Sequence, residues 1–394
     1  METNNQKNDR NIIPNDTDKP QKGVNVPNLR FPFFTECWEK VYLKEILKIF
    51  YGKDYKDQNI GKIPVYGTGG IICYIGNYLC NWSCVCIGRK GTINKPIYID
   101  KPFWCVDTLF YSKATNGNSS KFQYYLFQTI NWNKFNEASG VPSLSSNTIE
   151  SIKKYIPNLV EQQKIADFLS LIDKRIDTQS KIIEDLELFK NSIMDDLLTK
   201  KYFIEMSLSN FVSKGYARII KSSELTKFNG EKSYLSTSSI DSNGIVNIEC
   251  KITYYNRPSR ASMIPIKNSV WFAKMKDTIK VYKSENDDES KYVLSTGFYG
   301  ILCDENKVSS DWILEIFKSN YFNIQKNRFS EGSSMSGIKD NQLEDIQVKI
   351  FSNKNEEIKF CKLFKLLNGK LKSEQLLLEK LKEQKKYLLS NMFI

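Results

Sequence analysis

The second half of this chain repeats its first half at an offset of 194–195 residues. The run FNEAS at 135–139 reappears as FSEGS at 329–333, and NTIESI at 147–152 reappears as NQLEDI at 341–346. Across 135–152, six of eighteen positions are identical in the second copy, whereas chance would give about one. The period is too long for a solenoid, whose repeats run about 20–50 residues. The chain is therefore predicted to contain two copies of a whole domain.

Each copy ends in a long segment with a heptad pattern. Asn158 opens the first segment and Asn353 the second, each as a helix cap followed three residues later by a glutamate, Glu161 or Glu356. Apolar residues then recur at alternating steps of three and four positions, the period of a coiled coil. The pattern predicts two helices of about 40 residues, roughly 60 Å long, packed on each other in a two-fold arrangement. Docking of both helices on an outside partner is the alternative that the pattern leaves open.

The predicted seam between these helices combines apolar residues with two polar interruptions. The apolar residues at its centre are Ile172, Ile176, Ile183, Leu186, Leu367, Leu371, Leu378 and Leu381. Gln179 with Glu374, and Lys190 with Lys385, interrupt the two heptad patterns at the same two places. Polar residues at core positions cost stability but fix the register.

Composition favours a polyanionic partner and excludes much enzyme chemistry. The formal net charge is +12, which suits nucleic acid. The chain has no histidine, so it lacks the usual general base at neutral pH and every histidine-dependent triad or metal site. It also lacks the glycine motif of an S-adenosylmethionine site, the motif of an amino-methyltransferase and a P-loop. We therefore predict a chain that is not itself an enzyme and binds no cofactor.

The cysteines suggest a zinc site, but their spacing argues against one. Five of the nine cysteines fall between Cys73 and Cys105. None forms a C-x-x-C pair, and the run Cys84–Ile87 is typical of a buried strand, where cysteine acts as a small apolar residue. An odd number of cysteines in a cytoplasmic chain indicates free thiols. We predict no bound metal.

One short run matches part of a nuclease motif. Glu357-Ile358-Lys359 corresponds to the end of a nuclease Glu-x-Lys motif, but no convincing acidic partner precedes it. It falls in the first turns of the second long helix, and we predict that it is helix surface.

Strand-rich sequence fills both copies outside the helices. Short apolar runs such as 63–66, 84–87, 234–237 and 269–272 alternate with Gly, Asn and Pro turns. The predicted fold is α+β, with two pseudo-repeated strand-rich domains separated by two long coiled-coil helices. Its segments are a flexible tail (1–28), a first domain (29–157), a long helix (158–200), a second domain (201–352) and a second long helix (353–394). The tail has no hydrophobic signal core, and no apolar run reaches the ~18 residues of a membrane helix. These features predict a cytoplasmic protein without membrane contact.

Loops rich in glycine, hydroxyls and cations are the candidate DNA contacts. In the first copy these are Tyr66, Thr68, Gly69, Arg89, Lys90, Thr92, Ser139 and Ser143. In the second copy they are Ser236, Thr237, Lys274, Lys276, Ser333, Ser334 and Ser336. Arginine on such a loop suits bidentate contact with guanine, and hydroxyls donate to phosphate. A plain hairpin turn at 66–70 and solvated charge on the cationic loops are the alternatives left open.

The stretch IPNLVEQQKIADFL at 156–169, followed by Ile172-Asp173, resembles the central conserved region of HsdS, the specificity subunit of type I restriction–modification systems. Segments 29–43, 63–67 and 88–92 resemble the same family, and the resemblance covers nearly the whole chain from Leu29 onward. The second copy departs from the motif, with NEEIK at 355–359 where the first has VEQQK at 160–164. The second repeat is thus identified more by register than by motif.

The resemblance implies two target recognition domains and an antiparallel pair of conserved helices. Each domain would bind one half of a split double-stranded DNA target. The helices would set the spacer and dock two HsdM-type methyltransferase subunits, and two HsdR-type restriction subunits could join for cleavage. Chemistry in the family belongs to these partners: the methyltransferase uses S-adenosylmethionine and flips adenine out of the duplex.

Three other hypotheses remain at this stage. The chain could be the recognition module of a methyltransferase complex that lacks a nuclease. It could be a structural coiled-coil adaptor that binds proteins, which predicts weak DNA affinity without a steep salt dependence. It could itself be a nuclease or methyltransferase, against which the missing motifs argue.

Overall fold

The computed structural model describes residues 25–240, 246, 250–286, 288–329, 338 and 340–394. Two compact units account for the described residues. Unit 1 runs to Thr178 and includes Leu378–Ile394, and unit 2 is Gln179–Leu377. Each unit therefore contains one strand-rich region and a segment of each long helix.

The described residues form nineteen strands and ten α-helices. The strands are β1 (Glu39–Tyr42), β2 (Leu47–Tyr51), β3 (Ile60–Gly67), β4 (Gly70–Ile75), β5 (Cys84–Gly88), β6 (Ile97–Ile99), β7 (Trp104–Cys105), β8 (Leu109–Ala114), β9 (Lys153–Ile156), β10 (Phe203–Ser207), β11 (Ala217–Ile219), β12 (Lys232–Leu235), β13 (Cys250–Ile252), β14 (Ala261–Met263), β15 (Ser269–Ala273), β16 (Val281–Lys283), β17 (Tyr292–Ser295), β18 (Phe298–Cys303) and β19 (Gln347–Phe351). The helices are α1 (Leu43–Ile46), α2 (Ser120–Gln128), α3 (Ser146–Ser151), α4 (Leu159–Leu198), α5 (Leu208–Ser213), α6 (Asp288–Lys291), α7 (Ser310–Lys318), α8 (Asn320–Arg328), α9 (Asp340–Leu343) and α10 (Lys354–Met392).

Unit 1 is built on a four-stranded sheet of order β2-β8-β5-β6. A three-stranded sheet, β4-β3-β7, includes the parallel pair β3 and β7, and β1 pairs with β9 in a two-stranded ribbon. The central strand β5 is buried along its whole length, as its continuous apolar sequence requires. Helix α2 packs on this sheet, and the Ser119 hydroxyl caps it by accepting the backbone N–H of Phe122 at 3.3 Å.

Unit 2 repeats this topology. Its main sheet has the order β11-β18-β15-β16, and β10 pairs with β19 as β1 pairs with β9. The remaining sheet, β13-β12-β17-β14, contains the parallel pair β12 and β17 and gains one strand, β14. The α+β fold and the internal repeat are confirmed, since the main sheet and the two-stranded ribbon have the same order in both units although their sequences have diverged.

In each unit a segment of both long helices packs into the core. Ile165 and Leu169 of α4 lie in one apolar cluster with Leu388 and Met392 of α10 in unit 1. In unit 2, Met194 and Leu197 of α4 lie in a cluster with Phe364 of α10. The helix segments therefore belong to the hydrophobic cores of the domains rather than standing apart from them.

Polar contacts within unit 2 show that its helix segments run antiparallel. The Gln179 amide donates to the backbone oxygen of Glu374 at 3.2 Å, and the Lys190 ammonium donates to Asn368 at 2.6 Å. Gln179 and Glu374, predicted as equivalent interruptions, thus contact each other.

None of the predicted seam residues is exposed. Ile183, Leu371 and Leu381 are buried. The other predicted residues, which are half-buried, are Ile172, Ile176, Leu186, Leu367 and Leu378.

Two equivalent polar clusters join a helix to its domain. In unit 1, the Lys385 ammonium of α10 lies 2.7 Å from the Asp173 carboxylate of α4. The Tyr125 hydroxyl of α2 donates to the same carboxylate at 2.9 Å. The lysine therefore connects both long helices to α2.

The cluster in unit 2 uses the same positions with a different acid. Lys190 of α4 lies 2.8 Å from the Glu315 carboxylate of α7, and the Asn368 amide of α10 donates to Glu315 at 2.8 Å. Asn368 aligns with Asp173 at the 195-residue offset. The negative charge thus lies on the domain in unit 2 but on the long helix in unit 1.

The prediction that Glu357 lies on the helix surface is wrong. Its side chain is 3% exposed, where it accepts the backbone N–H of Ser309 and pairs with Lys354 at 2.9 Å. Gln162 occupies the corresponding place in unit 1 and accepts the N–H of Ser119 at 3.3 Å. Both side chains satisfy the N-terminus of a domain helix, α7 or α2, whose free N–H groups attract an acceptor. Ile358 and Lys359 are exposed.

The cysteines of the chain are free thiols. Cys80, Cys84, Cys86 and Cys105 lie together in an apolar cluster of unit 1, and burial raises the pKa of the Cys105 thiol. Among the described residues, no group of three or more His, Cys, Asp or Glu side chains is arranged to hold a metal ion. No helix in the described part of the chain is long and apolar enough to cross a membrane.

Candidate nucleic-acid interface

The three predicted contact segments of unit 1 lie on one face. The loop Gly88–Thr92, named loop A, bonds to the 139–143 segment, since the Gly91 N–H donates to the Pro142 oxygen at 2.8 Å. Lys90 and Ser143 form an antiparallel bridge. The turn between β3 and β4 is the third segment: a Cβ placed on Gly91 would lie 3.6 Å from the Thr68 hydroxyl. The structure therefore brings together segments that are far apart in sequence.

Loop A requires glycine at two of its positions. A Cβ on Gly88 would lie 2.2 Å from the backbone oxygen of Thr92, which no side chain tolerates. Gly91 has a φ of 89°, a conformation that L-residues with side chains rarely adopt. The tight turn presents Arg89 and Lys90 at its tip.

Arg89 is held in place by its surroundings, whereas Lys90 is exposed. The Arg89 guanidinium lies 5.4 Å from the centroid of the Tyr51 ring, close enough for a cation–π interaction. It also donates to the Asp107 carbonyl at 3.4 Å. Sequence analysis missed Tyr51 and Asp107, because they come next to loop A only through the sheet, in which β8 pairs with β5 on one side and with β2 on the other.

The other predicted residues of unit 1 differ in exposure. Tyr66 is half-buried, its ring packs edge-on against Phe103 with centroids 6.0 Å apart, and burial raises its pKa. The remaining predicted residues are Thr68, Thr92 and Ser143, which are half-buried, and Gly69 and Ser139, which are exposed. Tyr66 is therefore mainly a core residue.

Unit 2 holds its cationic loop by the same backbone bonds. The Lys274 N–H donates to Gly297 at 2.9 Å, and the Lys274 carbonyl accepts the N–H of Ile338 at 3.0 Å. In unit 1 the Arg89 N–H donates to Thr108 at 2.7 Å, and the Arg89 carbonyl accepts the N–H of Leu144 at 2.9 Å. The loop Lys274–Thr278, named loop B, is therefore the structural equivalent of loop A.

Beside loop B lies a cavity of about 290 Å³ with a polar, cationic lining. Thr237, Lys274 and Thr296 line it together with Arg260, an exposed residue that sequence analysis missed. Arg260 lies in an irregular stretch (257–260), and no motif in the sequence distinguishes it from other surface arginines.

The remaining predicted residues of unit 2 have mixed surroundings. The Ser236 hydroxyl bonds within its own turn, 2.7 Å from that of Ser238. Lys276 is exposed. Ser333, Ser334 and Ser336 lie outside the described residues.

Residues 35–188 match the family model of the type I restriction modification DNA specificity domain. A putative type I specificity subunit of Mycoplasma pneumoniae is 27% identical over 183 residues, which are 43% of this chain and 56% of that protein. The MjaIX specificity subunit of Methanocaldococcus jannaschii is 36% identical over 89 residues, 20% of this chain and 21% of that protein. The chain thus spans little more than half of the first of these relatives and about a fifth of the second.

Solved structures show the same fold. The type I S subunit of M. genitalium aligns with a TM-score of 0.61 at 15% identity, over 94% of this chain and 99% of that one. A chain from a study of type I R-M complex assembly and conformational transition aligns with a TM-score of 0.51 at 10% identity, over 89% and 96%.

Two repeated units, each holding a cationic loop by the same backbone bonds, define a duplicated protein of the S-subunit fold. The match over residues 35–188 shows that the first half of the chain carries a type I restriction modification DNA specificity domain.

Proposed function

We propose that this chain is the DNA-specificity subunit of a type I restriction–modification complex. Each unit would bind one half of a bipartite double-stranded DNA target, unit 1 through loop A and unit 2 through loop B. The observation that carries the proposal is the matched bonding of Arg89 and Lys274 in two units of the same topology. The same backbone arrangement thus presents an arginine in unit 1 and a lysine in unit 2, which suits recognition of two different half-sites.

The chemistry of the loops supports recognition of DNA. A guanidinium fixed over an aromatic ring, like that of Arg89, is preorganised for bidentate contact with guanine. Lysines and hydroxyls beside it would bind phosphate, which positions the domain without specifying sequence. The chain itself would perform no catalysis and bind no cofactor. S-adenosylmethionine would bind to the partner methyltransferase, which would modify the base.

Exposed apolar residues on the long helices support docking of two methyltransferase subunits. Leu171 on α4 and Leu366 on α10 are 62% and 65% exposed, and they align at the 195-residue offset. Ile182 and Leu377 form a second aligned pair, 39% and 38% exposed. Large apolar side chains that repeat with the duplication suit two copies of one partner. The helices would also set the spacer between half-sites, and two restriction subunits would complete the nuclease.

Stoichiometry tests the docking proposal. We expect native mass spectrometry to find two methyltransferase subunits per wild-type chain, one with Leu171→Asp or Leu366→Asp, and none with both. Phe33→Asp is the matched control, because Phe33 is 93% exposed and lies outside the helices. Two subunits retained by the double variant would refute these docking positions.

DNA binding distinguishes the proposal from a protein-binding adaptor. The complex with methyltransferase should bind DNA of its modification motif with an affinity that falls steeply as salt rises, because phosphate contacts release counterions. An adaptor would show weak binding with little salt dependence, and that result would refute the proposed function.

A further inference from the structure

Helix α8 supplies a buried lysine that joins the two ends of loop B. Lys326 is 1% exposed. Its ammonium donates to the carbonyl of Ala273, at 3.4 Å, and to that of Thr278. Ala273 precedes the loop and Thr278 is its last residue, so one side chain spans the loop from beneath.

Asn327, the next residue of α8, holds the bend of the loop. The backbone N–H of Asp277 donates to the side-chain oxygen of Asn327 at 3.0 Å, and the Asn327 amide donates to the Asp277 carboxylate at 3.0 Å. Asp277 has a φ of 51°, a strained conformation that needs support from its surroundings. Loop B is therefore held from α8 at both ends and at its bend.

The fold itself does not require a charge at this position. Burying an ammonium is costly, and burial lowers the pKa of Lys326 to about 8. In unit 1, the residue that aligns with Lys326 at the 194-residue offset is Trp132, a buried indole that donates to Phe127 at 2.9 Å. Loop A instead depends on its two glycines. The lysine thus serves loop B rather than the shared frame.

We infer that Lys326 and Asn327 are positioning residues for the second DNA half-site: they hold loop B in the shape in which it meets the bases. This inference rests on the proposed function. Lys326 and Asn327 would not touch DNA themselves; they would act through the position of Lys274 and its neighbours. Loss of the hydrogen bonds from Lys326 and Asn327 to loop B should therefore relax specificity at one half-site and leave the other unchanged.

The test replaces the chromosomal gene with Lys326→Met, which fills the volume without the donor, and maps methylated bases on the chromosome of the source strain. Lys307→Met is the matched control: Lys307 also donates to two carbonyls of unit 2, those of Lys214 at 3.2 Å and Gly215 at 3.0 Å. Asn327→Ala is a second variant in case Lys326→Met fails to fold. Thermal melting of each purified chain reports folding.

We expect the strains that carry Lys326→Met or Asn327→Ala to show methylation at a motif with one relaxed half-site. Discrimination at that half should fall about tenfold, the effect of losing roughly one to two hydrogen bonds, while the other half and the Lys307→Met motif stay as in the wild type. If the folded variants keep the wild-type motif, or relax both halves equally, the positioning role is refuted and the proposed function stands. If the wild-type gene itself yields no bipartite motif, both the positioning role and the proposed function are refuted.

Discussion

Arg89 and Lys274 occupy the same backbone position in the two units, but their side chains have different surroundings. Arg89 lies over Tyr51, whereas Lys274 lines a cavity shared with Arg260. An arginine over a ring loses little freedom when it binds a base, so the two loops are expected to contribute specificity in different ways.

Replacement of these cations should affect the half-sites separately. We expect Arg89→Ala to relax one half of the methylated motif and Lys274→Ala the other, each by about 1–3 kcal/mol of discrimination. The control Lys113→Ala removes another lysine of unit 1, which lies over the Trp82 ring at 5.1 Å outside the loops. Modified-base sequencing of each strain is the measurement. Normal methylation by both variants would mean that other residues bind the bases.

The buried lysine of α8 should make stability depend on pH. Burial, only partly offset by Asp277, lowers the pKa of Lys326 to about 8, below the ~10.4 of an unfolded lysine. Between these two pKa values, Lys326 keeps its proton in the unfolded chain but loses it in the folded chain. The contribution of Lys326 to the free energy of unfolding therefore rises with pH.

Between pH 7.5 and 10, the free energy of unfolding of the wild type should rise by about 2–3 kcal/mol more than that of Lys326→Met. Urea unfolding of both chains at the two pH values measures it, and the difference cancels titration of the groups that both share. A stability difference independent of pH would contradict the depressed pKa.

At the scale of elements, much of the architecture follows from the sequence. Heptad spacing predicted both long helices, which the structure assigns to Leu159–Leu198 and Lys354–Met392. Short apolar runs predicted the strands β5 and β15, which the structure buries in the two main sheets. These patterns are local, so sequence alone reveals them.

The site was harder to predict because its residues meet only through tertiary structure. Tyr51 contacts Arg89 because of how β2 pairs, and Lys326 reaches loop B from a helix about fifty residues further along the chain. Glu357 was misassigned for the same reason: helical spacing does not show that another helix begins against that face. Side chains that position others leave no signal in the spacing of motifs.

Removal of one partner from the buried ion pair between Lys190 and Glu315 should destabilise unit 2 strongly. Glu315 is 4% exposed, so removal of the lysine leaves a buried charge that Asn368 and the more distant Lys318, 3.7 Å away, only partly satisfy. We expect Lys190→Met to lower the free energy of unfolding by about 3–5 kcal/mol, and Glu315→Gln in the same chain to recover part of it. Lys382→Met breaks the exposed pair with Glu379 and should cost at most about 1 kcal/mol. Urea unfolding measures the loss of stability in each variant. Equal losses for Lys190→Met and Lys382→Met would contradict the predicted cost of a buried, unpaired charge.

At the scale of the whole molecule, the duplication provides two similar frames with different charges. The order of the main sheet and the bonds that hold the loops are the same in both units, whereas loop residues and the polar clusters differ. A protein built in this way can keep its assembly while each half acquires a separate target.

If the helices set the spacer, matched shortening should change it. Deletion of 180–186 from α4 and 375–381 from α10 removes one heptad from each at the 195-residue offset and keeps the heptad phase. Seven residues span about 10 Å, so the spacer of the methylated motif should shorten by about three base pairs. An unchanged spacer in the folded variant would show that the helices do not measure it.

The most direct test of the central claim is modified-base sequencing of the source strain with and without this gene. The account predicts that deletion abolishes methylation at one bipartite motif with a fixed spacer, and that the restored gene returns it. An identical methylation pattern in both strains, with the gene expressed and its methyltransferase present, would contradict the assignment of this chain as the specificity subunit.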